Sequence, residues 1–141
     1  MKINQPHIGY MLKIINDKLK AKADMDLKKH NLTMMQSRVL AYLGQHDGKA
    51  TQKEIEVFLE VAHPTVVGIV SRMEKSGFLI TYTDAEDKRN KVVELTEKSH
   101  KIGQEIDNTI KMQEDKLLEG ITKEQIRQLE ELLRTIYKNL D

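Results

Sequence analysis

Cysteine and tryptophan are both missing from the 141-residue sequence, which has only two prolines, four tyrosines and two phenylalanines. Without cysteine there can be no disulfide scaffold, thiolate zinc site, thiol redox switch or cysteine nucleophile. The few aromatics (Tyr10, Tyr42, Phe58, Phe78, Tyr82 and Tyr137) argue against a base-stacking platform for single-stranded nucleic acid. No apolar run approaches the length of a bilayer span. The first one, around Met11, Leu12, Ile14 and Ile15, is broken by Lys13 and Asp17, so no signal peptide is expected. A cytoplasmic chain with no membrane partner is the expectation. A strong charge of one sign is also lacking, the net formal charge being +1. Residues 1–32 hold seven basic and three acidic groups, whereas 51–95 hold six and eight. No broad basic field steers the chain onto a polyanion, so any nucleic-acid contact must come from a few placed groups, doubled by symmetry.

The helix punctuation, by contrast, is clear. Thr33-Met34-Met35-Gln36, Thr51-Gln52-Lys53-Glu54 and Thr122-Lys123-Glu124-Gln125 each match the capping box, and Thr96 is a further N-cap candidate. Pro6 and Pro64 each open a helical pattern, while Gly48, Gly77 and Gly120 each close one. Apolar periodicity predicts six helices: 6–29, 33–46, 51–59, 64–76, 96–118 and 122–140. Between the fourth and fifth the period changes. Residues 78–82 and 91–95, rich in β-branched and aromatic side chains, read as a hairpin around a polar loop at 83–90. The long first, fifth and sixth helices carry apolar seams with few local partners, such as Ile8, Met11, Leu12, Ile15 and Leu19 in the first. They are expected to form a subunit interface from both ends of the chain.

The fourth predicted helix concentrates the functional signal. Val66, Ile69, Val70 and Met73 recur at core spacing. The opposite face carries Pro64, Gly68, Ser71 and Lys75, flanked by Val67 and Arg72, and lacks acidic groups. A mid-helix glycine costs about 1 kcal/mol against alanine, so Gly68 suggests close approach of the helix backbone to something. With the short helix before it, this segment has the form of a helix-turn-helix, whose second helix enters a major groove. Val67 would touch a thymine methyl, and His63 and Thr65 would bond base edges or phosphate. Ser71 and Arg72 would hold phosphates. Ser37, Arg38, Thr51, Gln52 and Lys75 are further candidates for phosphate contacts. In the hairpin loop, Arg89 would lie in a minor groove, steadied by Asp87 and accompanied by Lys88. The same features also suit a structural corner with solvated charges. A helical dimeric module whose winged helix docks a protein partner is thus a second reading, separable by its weak salt dependence.

The run from Leu59 through Thr96 resembles the MarR family of bacterial winged-helix transcriptional regulators. The pieces that match are Pro64-Thr65-Val66-Val67-Gly68-Ile69-Val70, then Arg72-Met73-Glu74-Lys75-Ser76-Gly77-Phe78, then Asp84-Ala85-Glu86-Asp87-Lys88-Arg89 with Leu95-Thr96. The resemblance implies a mainly α fold with a small β-hairpin wing. A winged helix-turn-helix at 33–95 is flanked by dimerisation helices at 1–32 and 96–141, all in one continuous structural domain. It also implies a homodimer on a pseudo-palindromic double-stranded DNA operator, most often as a repressor, with the fourth helix in the major groove and Arg89 in the minor groove. Release by a small aromatic or phenolic effector is implied as well. Two positions depart from the family pattern: Ser99 stands where glycine is frequent, and Lys88 where arginine is common. The family's cysteine-based peroxide sensors are excluded by composition.

No cofactor or metal site is expected. His7, His30, His46, His63 and His100 are scattered, and His46-Asp47 is the only adjacent pair. An enzyme would need a grouped nucleophile, base and orienting residue or a phosphate-cradling glycine loop, and the sequence offers neither.

Overall fold

The computed structural model describes residues 7–141. The expected helix start at Pro6 lies outside the described residues. Six helices and three strands follow in the order α1 (Ile8–Lys28), α2 (Met34–Gly44), β1 (Lys49–Thr51), α3 (Gln52–Leu59), α4 (His63–Lys75), β2 (Leu79–Thr83), β3 (Lys91–Leu95), α5 (Glu97–Leu117) and α6 (Lys123–Lys138). The fold is mainly α with a small antiparallel sheet, as expected. Two compact units are distinguished, one through Ile106 and one from Asp107 to Asp141.

In the first unit the expected caps set the helix boundaries. At α2, Thr33 Oγ1 accepts from Gln36 N at 3.2 Å and Thr33 N donates back to Gln36 Oε1 at 3.1 Å, so the capping box is complete. At α3, Thr51 Oγ1 accepts from Glu54 N at 3.2 Å, the forward half of the box. Thr51 is also the last residue of β1 and stands opposite Val92. The sequence pattern predicts only a hairpin, and this third strand is an addition to it. β1 pairs with β3 from Lys49↔Glu94 to Thr51↔Val92, and β2 pairs with the other edge of β3 from Leu79↔Leu95 to Thr83↔Lys91. The sheet order is therefore β1-β3-β2.

The core of this unit gathers Val39 and Leu43 of α2, Ile55 and Leu59 of α3, the expected stripe Val66, Ile69, Val70 and Met73 of α4, and Phe78, Leu79 and Val93. Burying one such side chain contributes on the order of 1.5–3 kcal/mol. Phe58 behaves differently. It is half-exposed, stacked on Tyr42 with ring centroids 4.6 Å apart, and the Arg38 guanidinium lies 5.3 Å from its centroid. On α1, Ile8, Ile15 and Leu19 remain exposed.

In the second unit, Thr122 completes a capping box with Gln125. Helix α6 has no buried residue, and Leu129, Leu132, Leu133 and Tyr137 all stand exposed, Tyr137 at 72%.

Candidate nucleic-acid interface

Helix α4 presents its candidate residues as the wheel predicts. His63, Pro64, Thr65, Val67, Ser71, Arg72 and Lys75 are exposed, Gly68 is half-buried, and the apolar stripe faces the core. The helix begins at His63, one residue before the expected start, with Ala62 as an N-cap that makes no side-chain bond. Its first N–H groups are therefore not satisfied by a capping side chain, and they carry the positive end of the helix dipole. The one acid of its last turns, Glu74, is turned to the sheet, where its Oε2 accepts from Thr81 Oγ1 at 2.9 Å. A Cβ built on Gly68 would meet Arg72 Nη1 at 3.3 Å. The close approach that the glycine permits within this chain is thus to the guanidinium one turn on.

The preceding turn is tight. Glu60 caps α3 with φ +55, a left-handed conformation that a non-glycine residue adopts at a cost of about 1–2 kcal/mol. The His63 ring, 2.8 Å from Glu56 Oε2 through Nδ1, ties the first residue of α4 back to α3. This interaction bridges the two helices across the turn.

At the wing, Asp84 N donates to Asn90 O at 3.0 Å and closes the loop. Within it, Asp87 Oδ1 accepts from Arg89 N at 3.1 Å and from Arg89 Nε at 3.0 Å, while Oδ2 accepts from Nη2 at 3.1 Å. The side-chain bonds, then the backbone bond, hold the Asp87 carboxyl below its ordinary range, and the carboxylate raises the Arg89 guanidinium. The Arg89 side chain is 90% exposed, so its cation is oriented from behind and open in front. Lys88 is exposed beside it.

These elements meet at a recess of about 330 Å³, lined by Thr51, Gln52, Lys53 and Glu56 at the start and middle of α3, His63 of α4, and Arg89, Asn90 and Lys91 of the wing. Of the candidate residues, it brings Thr51, Gln52, His63 and Arg89 together. Lys53 and Lys91 are additions to the candidate residues. Gln52 is only 8% exposed, and its Oε1 has no hydrogen-bond partner. Ser37 and Arg38 sit apart from the recess on α2. The Ser37 hydroxyl donates to Met34 O at 2.7 Å, and Arg38 covers Phe58. Among the described residues no group of three or more His, Cys, Asp or Glu side chains is placed to hold a metal ion, and no helix is long and apolar enough to cross a membrane.

Residues 30–90 match the family model described as the MarR family. Among solved structures, the chain is similar to MepR, a transcription regulator of the Staphylococcus aureus multidrug efflux pump MepA. The match has 27% identity over 96% of this chain and 100% of that one, with a TM-score of 0.84. It is similar to S. aureus MepR in a complex with DNA at 27% identity, over 96% and 97% of the two chains, with a TM-score of 0.70. It is also similar to the heme sensor protein PefR from Streptococcus agalactiae in complex with heme, at 26% identity over 96% and 95%, with a TM-score of 0.70. The matched segment spans the turn after α1, the helix-turn-helix and the wing through Asn90, and the solved structures extend the likeness along the chain. Both agree with the geometry of α3, α4 and the wing: the chain matches the MarR family model over its helix-turn-helix and wing, and is similar along its length to winged-helix transcription regulators of that kind.

Proposed function

We propose that the protein is a sequence-specific regulator of transcription that binds double-stranded DNA as a homodimer, on a pseudo-palindromic operator, in the cytoplasm. In this reading α4 enters the major groove and Arg89 reaches the adjacent minor groove. The observation that carries it is the placement of Arg89, braced by Asp87, on the same recess as the first residue of α4 and the first turn of α3. A duplex backbone crossing this recess would meet Lys53, Lys91 and the open guanidinium, with the one lining carboxylate, Glu56, engaged by His63, which offsets the unfavourable net charge of the module by local concentration. The DNA complex of MepR supports the partner class.

The homodimer is supported by apolar side chains that one chain leaves uncovered, among them Ile8 and Leu19 on α1 and Leu132 and Tyr137 on α6. Scattered exposed apolar groups are ordinary, but a helix that buries nothing and shows Leu129, Leu132, Leu133 and Tyr137 marks a surface for association. Repression rather than activation follows the family's habit. A small aromatic or phenolic effector extends the precedent of PefR, a sensor of one small molecule. Selection of bound fragments from a genomic pool by the purified protein tests the reading. A recovered site with two half-sites about one helical turn apart, and affinity falling steeply with salt, are expected. Binding to no fragment, or affinity indifferent to salt, overturns it in favour of a protein-docking module.

A further inference from the structure

The end of α4 is held by the beginning of α5. Phe78 N donates to Met73 O at 2.9 Å and Gly77 N to Glu74 O at 3.0 Å, so the helix closes through Gly77, whose φ is +82. The three carbonyls that follow the helix, those of Ser76, Gly77 and Phe78, each take a side-chain donor from α5's first turn or its cap. Lys98 Nζ donates to Ser76 O at 2.7 Å and lies 4.6 Å from the Phe78 ring centroid. Thr96 Oγ1 donates to Gly77 O at 2.6 Å and accepts from Ser99 N at 3.3 Å, so one hydroxyl caps α5 and grips the turn. Ser99 Oγ donates to Phe78 O, which also accepts from Thr96 N at 3.3 Å. Ser99 is 3% exposed and Phe78 2%, so the Ser99–Phe78 bond is shielded from competing water.

We propose that Thr96, Lys98 and Ser99 are positioning residues that fix the direction of α4 against α5, so that the reading helix is aligned for its groove from the first turn of α5. This rests on the DNA-binding reading above. The three donors come from four consecutive residues and the three acceptors are themselves consecutive. A shift of either segment therefore breaks all the bonds together, and the two segments move as one body. Lys98 adds a cation at the negative end of α4, where the helix dipole favours it. None of the three residues lies on the groove-facing side of α4 or on the wing. Their loss should therefore disturb the alignment of base contacts without removing a phosphate contact.

The test compares the full-length wild type with Ser99→Ala and Lys98→Met, on the fragment selected above and on an unrelated duplex of equal length. Ser99→Ala is expected to weaken binding to the selected fragment about tenfold, leaving binding to the unrelated duplex and the salt slope unchanged. Lys98→Met keeps the stem over Phe78 and loses the donor. It is expected to act in the same direction by about threefold, and it carries the test should Ser99→Ala fail to fold. Unchanged specific affinity in a folded variant overturns the proposal, as does an equal fall on both duplexes. A merely stabilising hydroxyl would lower the melting temperature and leave both affinities alone. If the wild type selects no fragment, the DNA-binding reading fails by itself. Amide exchange then decides the clamp: faster exchange at Ser76, Gly77 and Phe78 in either variant upholds it, and unchanged rates overturn it.

Discussion

Asp87 accepts three hydrogen bonds from Arg89, one from its backbone amide and two from its guanidinium, while the same guanidinium remains open to solvent. The loop conformation and the aim of the cation thus depend on one carboxylate. Arg89→Ala should weaken operator binding about tenfold at moderate salt. It should also flatten the dependence of log K on log salt by about 0.9 for each phosphate that is no longer neutralised. Gel shifts across a salt series measure both, and an unchanged affinity would refute the role of the wing.

The carboxyl of Asp87 should titrate below the value of about 3.9 for a free aspartate. Its folded-state value is depressed, so whatever the pair contributes to wing order is present above the unfolded value and lost as pH falls through the folded one. Carbon-detected NMR titration should show this low midpoint in the wild type and its return toward the free value in Arg89→Ala. A wild-type midpoint at or above the free value would contradict the bracing geometry.

Gly68 separates stability from recognition. An added Cβ meets only the far end of the Arg72 side chain, which can swing aside. Gly68→Ala should therefore stabilise the fold by roughly 0.5–1 kcal/mol through helix propensity. The methyl stands on the face assigned to the groove, so operator affinity should fall even as the melting temperature rises. Gly68→Leu should abolish specific binding in a folded protein. Wild-type affinity in the leucine variant would move the groove-facing surface elsewhere.

Leu132 projects from a helix that buries none of its residues. Leu132→Asp should cost little in the isolated chain and several kcal/mol in an association that covers this position. Sedimentation at micromolar concentration should then show the wild type as a dimer and the variant shifted toward single copies. A wild type that sediments as a single copy would remove the basis of the homodimer.

Much of the fold is legible from local chemistry. Thr33 and Thr122 with their glutamines mark helix starts because the partners lie three residues apart, and Gly77 marks a stop because its backbone demands a positive φ. The α4 stripe is legible for the same reason. β1 is not, because three residues carry no period and their pairing partner lies some forty positions on. The recess is hidden likewise: Lys53 and Lys91, far apart in sequence, become neighbours through the β1–β3 ladder, which no local pattern announces. Gln52 looks like a surface amide in sequence, yet the packing of α3 against the sheet buries it. The hold of Ser99 on Phe78 joins residues 21 apart and has no signature beyond a small polar residue in a first helical turn.

The strand register has a consequence for how such a protein diversifies. Pairing along β3 begins at Val92 on one side and at Lys91 on the other, and the segment from Asp84 to Asn90 lies wholly outside the ladder. Residues can be gained or lost there without shifting any inward-facing side chain to the wrong face of the sheet. The span of the arm around a duplex is therefore adjustable by mutation while the body that carries it stays the same.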